Sequence, residues 1–190
     1  MLEVKVLCEA GYEQALYGLS LSYNAKSENM PARATQFWSH LSELAHKGEG
    51  HSKFLEAMMV WLDVRAPRYF WQEADTYRIS TKQSESTMHT LLRRPLTKED
   101  FQQDPDDEFG IDAGLLYALN QHIQTKAFRW VKRHLPESFM QRRVWCMSYK
   151  TLQNIWYQRH DHKLPEWHDF IDQVLSQIVH PEYIKRPEVT

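Results

Sequence analysis

The stretch "AMMVWLDVRAPRYFWQ", residues 57–72, decides how the rest of the chain is read. Its first half is built almost entirely from large apolar side chains, and a buried central strand is its most economical form. The run that follows, "TYRISTKQSESTMH" (76–89), carries hydroxyls, amides and one arginine. Such groups cost free energy when buried without partners, so they contribute little to a core. A polar run directly after the most apolar one is therefore read as a ligand loop.

Length and composition bound the alternatives. The 190 residues, 42% hydrophobic and 25% charged, suit one domain over 1–190, large enough to bury a core. Aromatic residues make up 13%, more than usual, and belong first to cores and interfaces. A formal charge of −2 gives no electrostatic basis for gripping nucleic acid or an anionic membrane. No apolar run approaches the roughly 20 residues of a membrane span, and "MLEVKVLCEAGYEQ" lacks the pattern of a signal peptide. Cys8 and Cys146 stand far apart without a CxxC pattern, which predicts a reducing, cytoplasmic setting and no disulfide framework.

Around the central strand the elements alternate. "LEVKVLCEA" (2–10) has the period of a half-buried strand, and "YEQALYGLSLSYN" (12–24) that of a short helix. A helix is predicted from Pro31, with Ala34, Phe37, Trp38, Leu41 and Leu44 on one face. "LTKEDFQQDPDDEFG" (96–110) is read as an acidic loop, and "IDAGLLYALNQHIQTKAFRWVKRHL" (111–135) as the longest helix, with a basic end that suits the dipole. "RRVWCMSY" (142–149) is read as a strand, and "KTLQNIWYQRH" (150–160) as the helix after it. "PEWHDFIDQVLSQIV" (165–179) is a strongly amphipathic helix. The fold class is α+β, mostly helical.

No phosphate loop, dinucleotide fingerprint, nucleophile elbow or HExxH motif is present. His160, Asp161 and His162 carry metal-ligand atoms, yet a solvated helix end accounts for them, and His122 and His134 read as surface residues. Three stretches look more purposeful. "GEGHSKFLEA" (48–57) leads into the central strand, "TYRISTKQSES" (76–86) follows it, and "KRHLPESFMQRRVWCMSYKTLQNIWYQR" (132–159) spaces Lys132, Lys150, Asn154 and Arg159 along a strand and helix. Lys150 and Asn154, four apart, share a helix face. These residue types suit a polar, phosphorylated ligand; surface solubility and helix capping account for the same composition.

The order of the three stretches resembles the flavin-dependent thymidylate synthases, which make dTMP from dUMP with FAD and a folate carbon donor. That family's first signature runs Gly-His-x-Ser/Thr-Pro-Phe-Glu-His. "GHSKFLEA" keeps Gly50, His51 and Glu56, with Lys53 and Ala57 departing from it. An apolar strand ending Ala-Pro follows in both, here Ala66 and Pro67, with Gln72 nearby. Thr76, Tyr77 and Arg78 then fall on the family's Arg-His-Arg triplet, Thr81 on its first Ser, Gln83 on its Asn and Ser86 on its second Ser. Met88 and His89 fall on the closing Arg-Tyr. "LPESFMQRRVWCMSYKTLQNIWYQR" (135–159) matches the C-terminal signature without a gap, with Ser148 for Asn, Lys150 for Arg, then Asn154 and Arg159. Ser22 falls on the Ser of an N-terminal turn.

The resemblance spans essentially the whole chain and implies a central antiparallel sheet flanked by helices. It also implies a homotetramer with sites between subunits. Carried over residue by residue, Ser22, His51, Glu56, Arg78, Gln83, Ser148, Lys150 and Asn154 would bind FAD. Gln72, Ser84, Ser86, Lys132 and Arg159 would bind a pyrimidine deoxynucleotide of the dUMP kind; no metal and no covalent protein nucleophile are implied. The departures weigh against ordinary turnover. Thr76 and Tyr77 remove positive charge beside the cofactor, and the Met88 thioether cannot replace a bidentate guanidinium. Each lost contact would cost roughly 1.5–3 kcal/mol. Two functions remain open: a divergent flavoenzyme modifying a pyrimidine at C5 with a folate one-carbon donor, and an inactive scaffold that binds nucleotides or protein partners.

Overall fold

A computed structural model describes residues 1–22, 40–48, 50–103 and 110–185. In chain order these form β1 (Glu3–Ala10), α1 (Tyr12–Leu21), helical residues 40–46 as α2, α3 (Phe54–Ala57), β2 (Met59–Pro67) and α4 (Arg68–Ala74). β3 (Ser80–Ser84), α5 (Thr87–Thr90), α6 (Ala113–Gln124), α7 (Phe128–His134), β4 (Met140–Ser148), α8 (Tyr149–Arg159) and α9 (Pro165–Leu175) follow. Of the helix predicted from Pro31, Ala34, Phe37 and Trp38 lie outside the described residues, while Leu41 is fully buried. The acidic run 104–109 also lies outside them.

The strands make one antiparallel sheet in the order β1-β2-β4-β3. β2 is central, as its composition predicts. Val60, Leu62, Val64 and Ala66 point to the helical side with no exposure at all, joined by Trp145 and Met147 of β4. Trp61, Asp63 and Arg65 alternate to the other face and stay half-buried. The outer edge of β1 is closed by two glutamines one helical turn apart. Gln173 accepts from Val4 N (2.8 Å) and donates to Leu2 O, and Gln177 accepts from Val6 N (3.0 Å) and donates to Val4 O. Their amides replace a missing strand and blunt an edge that would otherwise invite pairing.

Two expectations are corrected. The segment 111–135 is not one helix but two, α6 and α7. Lys126 adopts the left-handed conformation (φ 57°), and Ala127 N donates back to His122 O at 2.9 Å. The reversal puts Val131 in the same apolar cluster as Leu119 and Ile123, and seats the Trp130 ring on His122 at 3.6 Å, with His134 stacked on Trp130 at 4.0 Å. A straight helix would carry these groups apart, so burial outweighs a strained residue of about 1–2 kcal/mol. The polar run read as a loop also contains β3. An edge strand needs no apolar alternation, because its backbone ladder with β4 and half-solvated faces suit hydroxyls and amides. Among the described residues, no helix is long and apolar enough to cross a membrane.

Candidate functional site

At one end of the sheet, α3, the start of β2, the approach to β3, the end of β4 and the first turns of α8 enclose a cleft of about 680 Å³. α8 starts there because Ser148 caps it, its Oγ accepting from Thr151 N at 3.1 Å. The four-residue spacing then aims Lys150 and Asn154 into the cleft together. Lys150 Nζ donates to Ser52 Oγ and Gln153 Oε1, both at 2.9 Å, and meets no carboxylate among the described residues. Glu56 and Arg78 line the same cleft, exposed and with no side-chain hydrogen bond or ion pair among the described residues. Two cations without acidic partners, one amide and one carboxylate therefore face a single volume. Cys146 also lines it, but burial pushes its thiol up, away from the thiolate a nucleophile needs.

Five of the expected cofactor residues thus meet: Glu56, Arg78, Ser148, Lys150 and Asn154. Ser22 and His51 do not join them. They line a separate cavity of about 640 Å³ bounded by α1 and α3. Gln83 lies further along β3, opposite Val144.

The expected nucleotide residues are dispersed. Ser84 opposes Arg143 in the ladder, and Ser86 precedes α5 as its cap residue. Lys132 Nζ donates to Thr87 Oγ1 at 2.5 Å; burial, and then the neighbouring Arg68 charge, push its ammonium below the usual lysine range. Gln72 donates to Glu137 Oε2 at 2.8 Å. Met88 is exposed to solvent. Arg159 is engaged inside the chain through two of its three nitrogens: Nε donates to Tyr77 OH at 3.0 Å and Nη1 to Glu73 Oε2 at 2.9 Å. Its guanidinium also lies over the Trp167 ring at 5.0 Å. His162 Nε2 is 2.7 Å from Arg159 Nη1, and His160 stacks on Trp156, so the histidine pair turns to separate neighbours. Among the described residues, no three His, Cys, Asp or Glu side chains gather as metal ligands would.

The cleft holds residues that sequence reasoning passed over, Ser52, Met59, Ile79 and Thr151 among its walls or first contacts. Thr151 had a readable signal, three residues after a capping serine. Ile79, exposed to 85%, had none, since an apolar residue in a polar run is read as core.

The sheet order and surrounding helices are the fold of the flavin-dependent thymidylate synthases. Two crystal structures of thymidylate synthase ThyX from Helicobacter pylori, both solved with FAD and dUMP, carry it. One superposes with a TM-score of 0.79 at 16% identity, covering 96% of this chain and 98% of that one. The other gives 0.74 at 18% identity, covering 97% and 98%. At these identities the likeness is one of fold. No family model and no curated protein sequence matches the chain.

Proposed function

We propose that the chain is a divergent flavin-dependent thymidylate synthase-like protein, holding FAD in the cleft of Glu56, Arg78, Ser148, Lys150 and Asn154. One observation carries this: among the described residues, Arg78 and Lys150 both face the cleft without an acidic partner, beside the Glu56 and Asn154 side chains, which also have none. Unpaired cations converging on one volume fit phosphates, and a neighbouring amide and carboxylate fit the edge of a polar ring. The donor set therefore suits a flavin dinucleotide. Bound, the flavin would supply the redox chemistry and a folate the one-carbon unit for modifying a dUMP-like pyrimidine at C5. The chain's own part would be to neutralise phosphate with Arg78 and Lys150 and to orient the ring with Asn154. A cytoplasmic setting belongs to the same reading; both cysteines are free.

A second reading, binding without turnover, is favoured by Arg159. Its charge is already matched by Glu73, and Thr76 donates to Glu73 O rather than standing in for a cation. Titration of the protein with FAD, followed by visible absorbance and flavin fluorescence, tests the shared claim. Lys150→Ala and Arg78→Ala should each weaken binding by about tenfold or more, the loss of one charge-assisted contact. Unchanged affinity in both variants would remove the site. With FAD bound, dTMP formation from dUMP and a folate donor separates the readings: product supports the enzyme, and its absence the binding module.

A further inference from the structure

We infer that Tyr77 and Arg159 are positioning residues that hold Arg78 at the cleft, with Arg159 acting through Tyr77 rather than on a ligand. Arg78 stands between two tethered neighbours. On one side, Tyr77 O accepts from Ser80 Oγ (2.6 Å) and Lys82 Nζ (3.3 Å), and Tyr77 N donates to Ala74 O (3.2 Å). On the other, Ile79 O accepts from Thr151 Oγ1 at 3.0 Å. The Tyr77 ring enters the core edge-on to Trp167, and its hydroxyl donates to Gln158 Oε1 and accepts from Arg159 Nε, both at 3.0 Å. Arg159 is held in turn by Glu73, whose Oε2 also accepts from Trp167 Nε1 at 2.9 Å.

The chain from Glu73 through Arg159 and Tyr77 thus runs from α4 and α8 to the residue beside Arg78. Arg159 Nε and Nη1, Glu73 Oε2 and the Tyr77 hydroxyl are all partnered within the chain, whereas the Arg78 side chain has no partner among the described residues. With Nε on Tyr77 and Nη1 on Glu73, the guanidinium keeps only Nη2 outside these bonds, and its orientation is set by partners within the chain. What it can do is fix the backbone that presents Arg78, since charge-assisted hydrogen bonds from a forked donor restrict geometry strongly.

This inference rests on reading the cleft as a flavin nucleotide site, and its test separates the two. FAD affinity is measured by fluorescence quenching for the parent, Tyr77→Phe, Arg78→Ala, their double variant and Arg159→Lys. Tyr77→Phe keeps the ring and its packing but loses the hydroxyl. It should weaken FAD about twofold to tenfold, the range of one lost hydrogen bond, with its melting temperature close to the parent's. In the Arg78→Ala background it should add nothing, because there is no guanidinium left to position. Arg159→Lys, which keeps the charge opposite Glu73 but not the second donor, should follow Tyr77→Phe. Full additivity in the double variant, or parent affinity in Arg159→Lys or Tyr77→Phe, would overturn the proposal. If the parent binds no FAD, the flavin reading fails and amide exchange decides the positioning claim. Faster exchange confined to residues 76–82 in Tyr77→Phe supports it, and an unchanged pattern rejects it.

Discussion

Gly11 joins β1 to α1 with φ at +84°, and a Cβ added there would stand 2.1 Å from the backbone oxygen of Ala57. The position needs glycine twice over, for its torsion and for the close approach of α3. Gly11→Ala should therefore destabilise the protein by more than about 1–2 kcal/mol, the cost of the torsion alone, measured by urea denaturation. A loss below 0.5 kcal/mol, on the order of a neutral surface change, would mean that the close approach relaxes at no cost. At the same scale, Gln153 shows how a polar side chain earns its place in a core. Fully buried in α8, it donates to Ala45 O (2.9 Å) and Tyr183 O (2.8 Å) and accepts from Lys150. It thereby ties α2 and the C-terminal segment to the wall of the cleft.

Among the elements, β2 and β4 are linked on the open face of the sheet by Asp63 and Arg142, whose Nε donates to Oδ1 at 2.7 Å, with a second bond from Nη2. These hydrogen bonds from Arg142 hold the Asp63 carboxyl below the usual range against the opposing effect of its own burial. A carboxyl whose folded pKa is depressed adds stability above its unfolded value of about 4, and loses it as pH falls through the folded one. Asp63→Asn should then be less stable than the parent near neutral pH, by up to about 1 kcal/mol, since Arg142 is mostly exposed. The difference should close as pH falls through the lowered folded pKa of Asp63 in thermal melts. A gap constant from pH 7 to pH 2 would show that the effect is not electrostatic. Lys82 shows the opposite balance: Asp75 lies 3.8 Å away, without a hydrogen bond, and burial pushes the ammonium down.

For the whole molecule, the arrangement of the expected site residues is the main result. Arg78 lies before β3 and Ser86 after it, at opposite ends of a strand whose four steps span about 13 Å. Ser22 and His51 line a different cavity from Glu56, Lys150 and Asn154. The residues expected to hold cofactor and nucleotide thus lie apart on one chain, and the resemblance to the flavin-dependent synthases implies that a complete site would be shared between copies. The expected assembly is a homotetramer of about 91 kDa, four times the 22.7 kDa chain, read by light scattering. A monomer at working concentration would leave the groups apart and count against catalysis by this scaffold.

Periodicity and composition determined the central strand, the amphipathic helix read over 165–179, which ends at Leu175, and the α+β class, because burial on one face imposes a repeat that a single sequence displays. The order of short polar signatures likewise singles out Glu56, Arg78, Ser148, Lys150 and Asn154, which share one cleft. Tertiary structure decided the remainder. The break at Lys126 depends on apolar groups meeting across a turn that carries no glycine, and β3 exists because β4 offers a backbone ladder to polar residues. The same holds for Arg159, which sequence alone assigns to a nucleotide. Its partners Tyr77 and Glu73 lie 82 and 86 residues away along the chain, and such distant contacts leave no local pattern to read.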